Sequence, residues 1–273
     1  GASGFIGRSL VNYLDSHGQA SVSFVRGTGK RNLLERESLG PYFTAHNFTT
    51  VVHLASRVRN IKTKRDVKNE KEMAVNVLSL LDRGARFIYL STADVYQQSD
   101  FLLDESSTLA PVNIYAEAKM QTEKSLMSEA LKRGIDLVLL RPSLVYGPDS
   151  PPGMFLSDLH ESVKNSTIFS YSPNLITRDF INILDLCSAI FKIINHPEKL
   201  CGIYNLSTGI GTSLESMVNL VHKDIKRGLA IERGSFSKKS ANPYLVLSSD
   251  KLQNTIDWKP VISPIVGLRE IFL

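Results

Sequence analysis

Cysteine is scarce in this 273-residue chain: Cys187 and Cys201 stand alone, and the six histidines are scattered singly. That spacing excludes a disulfide framework and a Cys/His metal site, and both cysteines read as core fillers. No run of ~18 apolar residues and no signal-peptide pattern is present, which points away from a membrane and toward a soluble, cytoplasmic protein. Charge of one sign is lacking too. Lys and Arg total 32 against 27 for Asp and Glu, and the formal net charge of +5 favours an anionic small molecule over a nucleic-acid groove. The most basic stretch, residues 57–65, has no interleaved aromatics, so it reads as a solvated loop and not as a nucleic-acid surface. Neither a repeat nor a low-complexity linker divides the chain. Its length and 42% hydrophobic content suit one large domain with a smaller appendage.

What is present begins at once. Gly1-Ala2-Ser3-Gly4-Phe5-Ile6-Gly7 is a Gly-x-x-Gly-x-x-Gly run, followed by Leu10, Val11 and Leu14 on one helical face. Small residues let the backbone approach a pyrophosphate, whose charge the helix N-terminus favours, so this reads as a dinucleotide-binding turn. Such a turn normally follows the central strand of a doubly wound sheet, and the reading is that residues preceding Gly1 supply it. Ala20 to Arg26 reads as the next strand. A base at its end accommodates a 2′-phosphate, so Arg26, with Lys30 and Arg31 nearby, leans toward NADP; the alternative is a solvated surface arginine.

Further expected elements are a ragged strand near Tyr42 to His46, a buried strand over Thr50 to Ala55, and a short helix over Glu72 to Leu81. Strand Phe87 to Ser91 delivers Ser91-Thr92-Ala93-Asp94-Val95-Tyr96 at its C-terminal end, where open α/β sheets place ligands. A helix from Ile114 to about Arg133 carries Tyr115 and Lys119, four apart and therefore on one face. A phenol of pKa about 10 is a poor base near neutrality, and a neighbouring ammonium favours its phenolate. A strand over Asp136 to Leu140 then runs into Arg141-Pro142-Ser143-Leu144-Val145-Tyr146-Gly147-Pro148. Beyond it, strands are expected over Thr167 to Tyr171 and Gly202 to Leu206, and helices over Ile183 to Asn195 and from a capping box at Thr212-Ser213-Leu214-Glu215.

These motifs occur in order, with Val52-His53-Leu54-Ala55, Arg178-Asp179-Phe180-Ile181, Tyr204-Asn205-Leu206 and Asp257-Trp258-Lys259-Pro260 among them. The chain resembles the extended short-chain dehydrogenase/reductase superfamily, and within it the nucleotide-sugar epimerase/dehydratase family. That resemblance implies a doubly wound parallel sheet of Rossmann type over residues 1–148, with some later segments returning to it, and a small, mainly substrate-binding C-terminal lobe over 149–273. It implies NAD(P) held by Gly1, Gly4, Phe5, Ile6, Gly7, Arg26, Leu54, Ala55, Tyr115 and Lys119.

A catalytic triad of Thr92, Tyr115 and Lys119 follows from the same resemblance, with a nucleotide-sugar substrate held by Thr92, Asp94, Arg178 and Lys238. For Arg178 an ion pair with Asp179 or Asp185 is the alternative. The resemblance also implies a homodimer. Dehydratase members place an Asp-Glu pair after the Thr; Ala93 and Asp94 stand there, which favours epimerisation over dehydration. Many members carry an asparagine where Leu144 stands.

Overall fold

In the segment Arg86–Leu90 the side chains of Phe87 and Tyr89 join one buried cluster while those of Ile88 and Leu90 join another. Leu137 and Leu139 alternate with Val138 and Leu140 in the same way one strand over. A strand apolar on both faces needs a layer on each, and this dictates an α/β sandwich. The computed structural model describes residues 1–25, 32–56, 61–97, 99–171, 176–225, 230–234 and 244–272.

The chain runs α1 (Phe5–Ser16), α2 (Arg36–His46), β1 (Thr50–His53), α3 (Lys64–Leu78) and β2 (Arg86–Leu90). A 3₁₀ turn, Ala93–Val95, and a loop lead to α4 (Ile114–Arg133), β3 (Asp136–Pro142) and β4 (Leu144–Tyr146). Then come α5 (Phe155–Asn165), β5 (Phe169–Tyr171), β6 (Thr177–Asn182), α6 (Ile183–Ile194) and β7 (Gly202–Leu206). The last elements are β8 (Gly211–Ser213), α7 (Leu214–Leu220), β9 (Ile231–Arg233), β10 (Tyr244–Leu245), α8 (Asp250–Ile256) and α9 (Pro264–Phe272).

Strands pair in the parallel order β1-β2-β3-β7. Helices α3 and α4 cover one face through Ala74, Val77, Leu78, Leu126 and Ala130; α1, α6 and α8 cover the other through Leu10, Leu14, Leu186, Ile190 and Leu252. The result is the doubly wound arrangement of a Rossmann-type fold. β7 and α6 belong to this layer although they lie late in the chain. A separate cluster built on Tyr146, Leu159, Phe180, Met217 and Leu268 surrounds a smaller sheet ordered β10-β6-β4, with β8 antiparallel to β6. Among the described residues no helix is long and apolar enough to cross a membrane.

The structure corrects four local expectations. Residues 20–25 form no strand: a cavity of about 520 Å³ lies between them and β1, so their backbone finds no ladder. Tyr42 to His46 is the end of α2, where Leu39 and Phe43, four apart, both turn to the core and Asn47 closes the helix in the left-handed region. The crossover helix is not clipped. It starts at Lys64, behind a capping box between Thr63 and Asp66, and its 15 residues span roughly 22 Å. Ser213, the last residue of β8, caps α7 in place of Thr212 and accepts from the Ser216 N–H.

Candidate active site

Helix α4 begins at Asn113, whose side chain accepts from the Ala116 N–H at 2.8 Å, and ends on Gly134 at a φ of 67°. Those two residues fix its register, and with it the face shared by Tyr115 and Lys119. Lys119 is 3% exposed, and its Nζ donates to the Leu90 carbonyl at 3.0 Å, at the end of β2. Two residues on, Thr92 leaves the sheet in extended conformation and its Oγ1 accepts from the Asp94 N–H at 3.3 Å. Asp94 in turn faces the Asn113 side chain, which favours its carboxylate against the rise that burial imposes. Thr92 and Tyr115 are thus bracketed by two contacts, Leu90 with Lys119 and Asp94 with Asn113.

Electrostatics at this corner follow from burial. The phenol of half-buried Tyr115 is pushed up to about 12, first by desolvation, with the Lys119 ammonium pulling the other way and Tyr89, Glu70 and Asp94 adding to the rise. The ammonium lies 4.7 Å from the ring centroid of Tyr89 and 5.8 Å from that of Tyr115. His53, at the end of β1, is pressed down to about 3, first by burial and then by the charge of Lys119. Its ring lies 5.8 Å from Phe87 and 5.9 Å from Tyr89.

The opening glycines lie against the other strand end. A Cβ on Gly1 would sit 2.6 Å from the Ala55 nitrogen, and one on Gly7 would sit 2.7 Å from the Ala2 Cα, so neither place accepts a side chain. The turn is held down by Arg8, which donates to the Ser3 carbonyl at 2.7 Å. At the N-terminus of α1 no side chain caps the amides and no acidic residue stands in the first turn. Leu54 and Ala55 thereby come beside Gly1, next to the open positive end of the helix.

On the lobe side, Arg178 of β6 is half-buried and faces Asp94, whose charge opposes the lowering that burial imposes on the guanidinium. The two carboxylates named as its alternative partners accept hydrogen bonds from other groups. Asp179 accepts from Ser143 Oγ, from Thr208 N–H and Oγ1, and from the Gly209 N–H. Asp185 accepts from the Val261 and Ile262 amides. Arg26 and Lys238 lie outside the described residues.

Two residues at the site escaped the sequence reading. Glu70 of α3 is 1% exposed, with Oε1 3.0 Å from Lys119 Nζ. The signal was available: position 70 shares a helical face with Val67, Met73, Ala74 and Val77, all buried. Asn113 stands directly before the Tyr115 helix, where an N-cap belongs.

Architecture and site together define a protein of the extended short-chain dehydrogenase/reductase type. The model of the NAD dependent epimerase/dehydratase family matches residues 1–207, and the chain belongs to that family. It is 24% identical to the GDP-6-deoxy-D-mannose reductase of Pseudomonas aeruginosa, over 99% of this chain and 94% of the relative. Among solved structures, RMD from Pseudomonas aeruginosa complexed with NADPH superposes with a TM-score of 0.86 at 22% identity, covering 100% of this chain and 95% of that one. The Thermus thermophilus UDP-glucose 4-epimerase complex with NAD gives 0.83 at 21% identity, over 100% and 97%. The side-chain-free turn at Gly1 and Gly7 and the uncapped amides of α1 fit the diphosphate of such a dinucleotide.

Proposed function

We propose that the protein is an NAD(P)-dependent nucleotide-sugar epimerase. The observation that carries this reading is the Lys119 to Leu90 bond, which sets Tyr115 beside the strand end bearing Thr92. NAD(P), when bound, supplies the hydride acceptor and, oxidised, a cationic ring. Gly1, Gly4, Phe5, Ile6 and Gly7 hold its diphosphate, Leu54 and Ala55 line its path, and Lys119 holds a ribose. Tyr115 takes the proton from a sugar hydroxyl that Thr92 hydrogen-bonds, and gives it back when the sugar carbon is reduced from its other face. Asp94 borders the sugar and Arg178 holds the substrate's diphosphate in a guanidinium fork. Arg26 would favour NADP, and Lys238 would supply a second cation.

Ala93 removes one of the two acidic groups that dehydration uses, so elimination is disfavoured. A reductase is the second reading, supported by the Pseudomonas aeruginosa relative that matches nearly the whole chain. Net cofactor use separates the two: a reductase consumes NAD(P)H in proportion to product, and an epimerase leaves it unchanged. A homodimer across the outer faces of α3 and α4 is part of the proposal, supported by Met127 and Leu131, which are exposed there; sedimentation of the protein with and without Leu131→Lys tests it.

A further inference from the structure

A carboxylate on the inner face of a helix loses its hydration and requires a cation. Glu70 is such a group, because α3 packs along α4 and buries the face that carries it. Its cation is the Lys119 ammonium, at 3.0 Å. The same ammonium donates to the Leu90 carbonyl, so it stands between α3 and the end of β2.

This arrangement bears on Tyr115. The titratable groups facing the phenol are Lys119 on its own helix, Tyr89 from β2, Glu70 from α3 and Asp94 from the turn after β2; His53 from β1 faces Lys119. Lys119 favours the phenolate, and Glu70, touching that ammonium, offsets its effect. We infer that Glu70 is a positioning residue that holds the Lys119 ammonium against the Leu90 carbonyl and sets how readily Tyr115 releases its proton. The inference takes the roles of Tyr115 and Lys119 from the function proposed above. The sign is definite: without the Glu70 charge, the phenolate becomes the nearest counter-ion of Lys119, and Tyr115 ionises at lower pH.

The test is an alkaline titration of near-ultraviolet phenolate absorbance. Wild type minus Tyr115→Phe isolates Tyr115 in the native setting; Glu70→Gln minus Glu70→Gln/Tyr115→Phe isolates it without the carboxylate. The Tyr115 step, at the alkaline limit in wild type, is expected to move down by about one pH unit or more in Glu70→Gln. Glu70→Met, which fills the same volume without a polar group, gives the same reading should the Gln variant not fold. A Tyr115 step at the wild-type pH, or above it, in a folded variant overturns the inference. Because no sugar is added, a lowered step in a protein that turns over no nucleotide sugar would count against the proposed function alone, leaving the charge coupling intact.

Discussion

Lys119 Nζ donates to the backbone carbonyl of Leu90 at 3.0 Å, and this bond ties the second turn of α4 to the last residue of β2. Tyr115 lies one turn earlier on the same helix face, and Thr92 two residues beyond Leu90. A helix rotated by one residue would break the bond and turn the phenol away from the strand end.

The glycine turn separates fold from ligand. A Cβ on Gly4 would meet only the Gly1 oxygen, at 3.4 Å, whereas Gly7 has no room for one. Gly4→Val should therefore stay folded and lose NAD(P) affinity by about tenfold or more, roughly 1.4 kcal/mol. Gly7→Ala should cost about 1–3 kcal/mol of stability in urea unfolding, from overpacking. Wild-type cofactor affinity in folded Gly4→Val would place the diphosphate elsewhere.

Arg178→Leu should raise the KM of the sugar nucleotide about tenfold or more and leave NAD(P) affinity unchanged, the pattern of lost ground-state binding. Steady-state kinetics and a cofactor titration on the same preparation check it. A loss confined to the cofactor would show that Arg178 serves the cofactor and not the sugar nucleotide.

Behind the site, Arg141 and Glu123 form a buried pair, with Nη2 to Oε2 at 2.6 Å and side chains 1% and 2% exposed. Arg141 also stacks 4.9 Å from the ring of Tyr96. Glu123→Gln leaves a buried guanidinium without its counter-charge and should destabilise the fold by about 3–5 kcal/mol in urea unfolding.

His53 gives the stability a pH dependence. Its folded value, about 3, lies below the ordinary 6.5, so between these limits the unfolded chain binds the extra proton. Stability should therefore be fully present above the upper limit and fall as pH drops through this window. His53→Gln should flatten that slope in urea unfolding measured across the same range; an unchanged slope would move its source to other groups.

Strong local signals made much of the site legible in the sequence. Asn113 and Gly134 punctuate α4 so clearly that its span, Ile114–Arg133, matches the expected one. β2 and β3 announce themselves as fully buried apolar runs. Where local preference and tertiary packing disagreed, reading failed. Pro41 and the aromatics Tyr42 and Phe43 suggest an extended segment, yet Leu39 and Phe43 reach the core only from a helix. The first turn of α3 is charged and shows no apolar period, so apolar pattern alone finds the helix only from Glu72; Thr63 and Asp66 mark its true start. Glu70 differs: a lone acidic residue on a charged helix reads as solvated, yet its spacing from Val67, Met73, Ala74 and Val77 sets it on the face that α3 packs against α4.

The central claim, that Tyr115 moves the proton while a sugar carbon is oxidised and re-reduced, is tested most directly by proton NMR of nucleotide sugars incubated with the protein and a catalytic amount of NAD(P). The account predicts inversion at one sugar carbon with no net change in cofactor, and a loss of about 10² or more in rate in Tyr115→Phe at unchanged cofactor affinity. Inversion at a near-normal rate by Tyr115→Phe, or product formed only in proportion to NAD(P)H consumed, would contradict it.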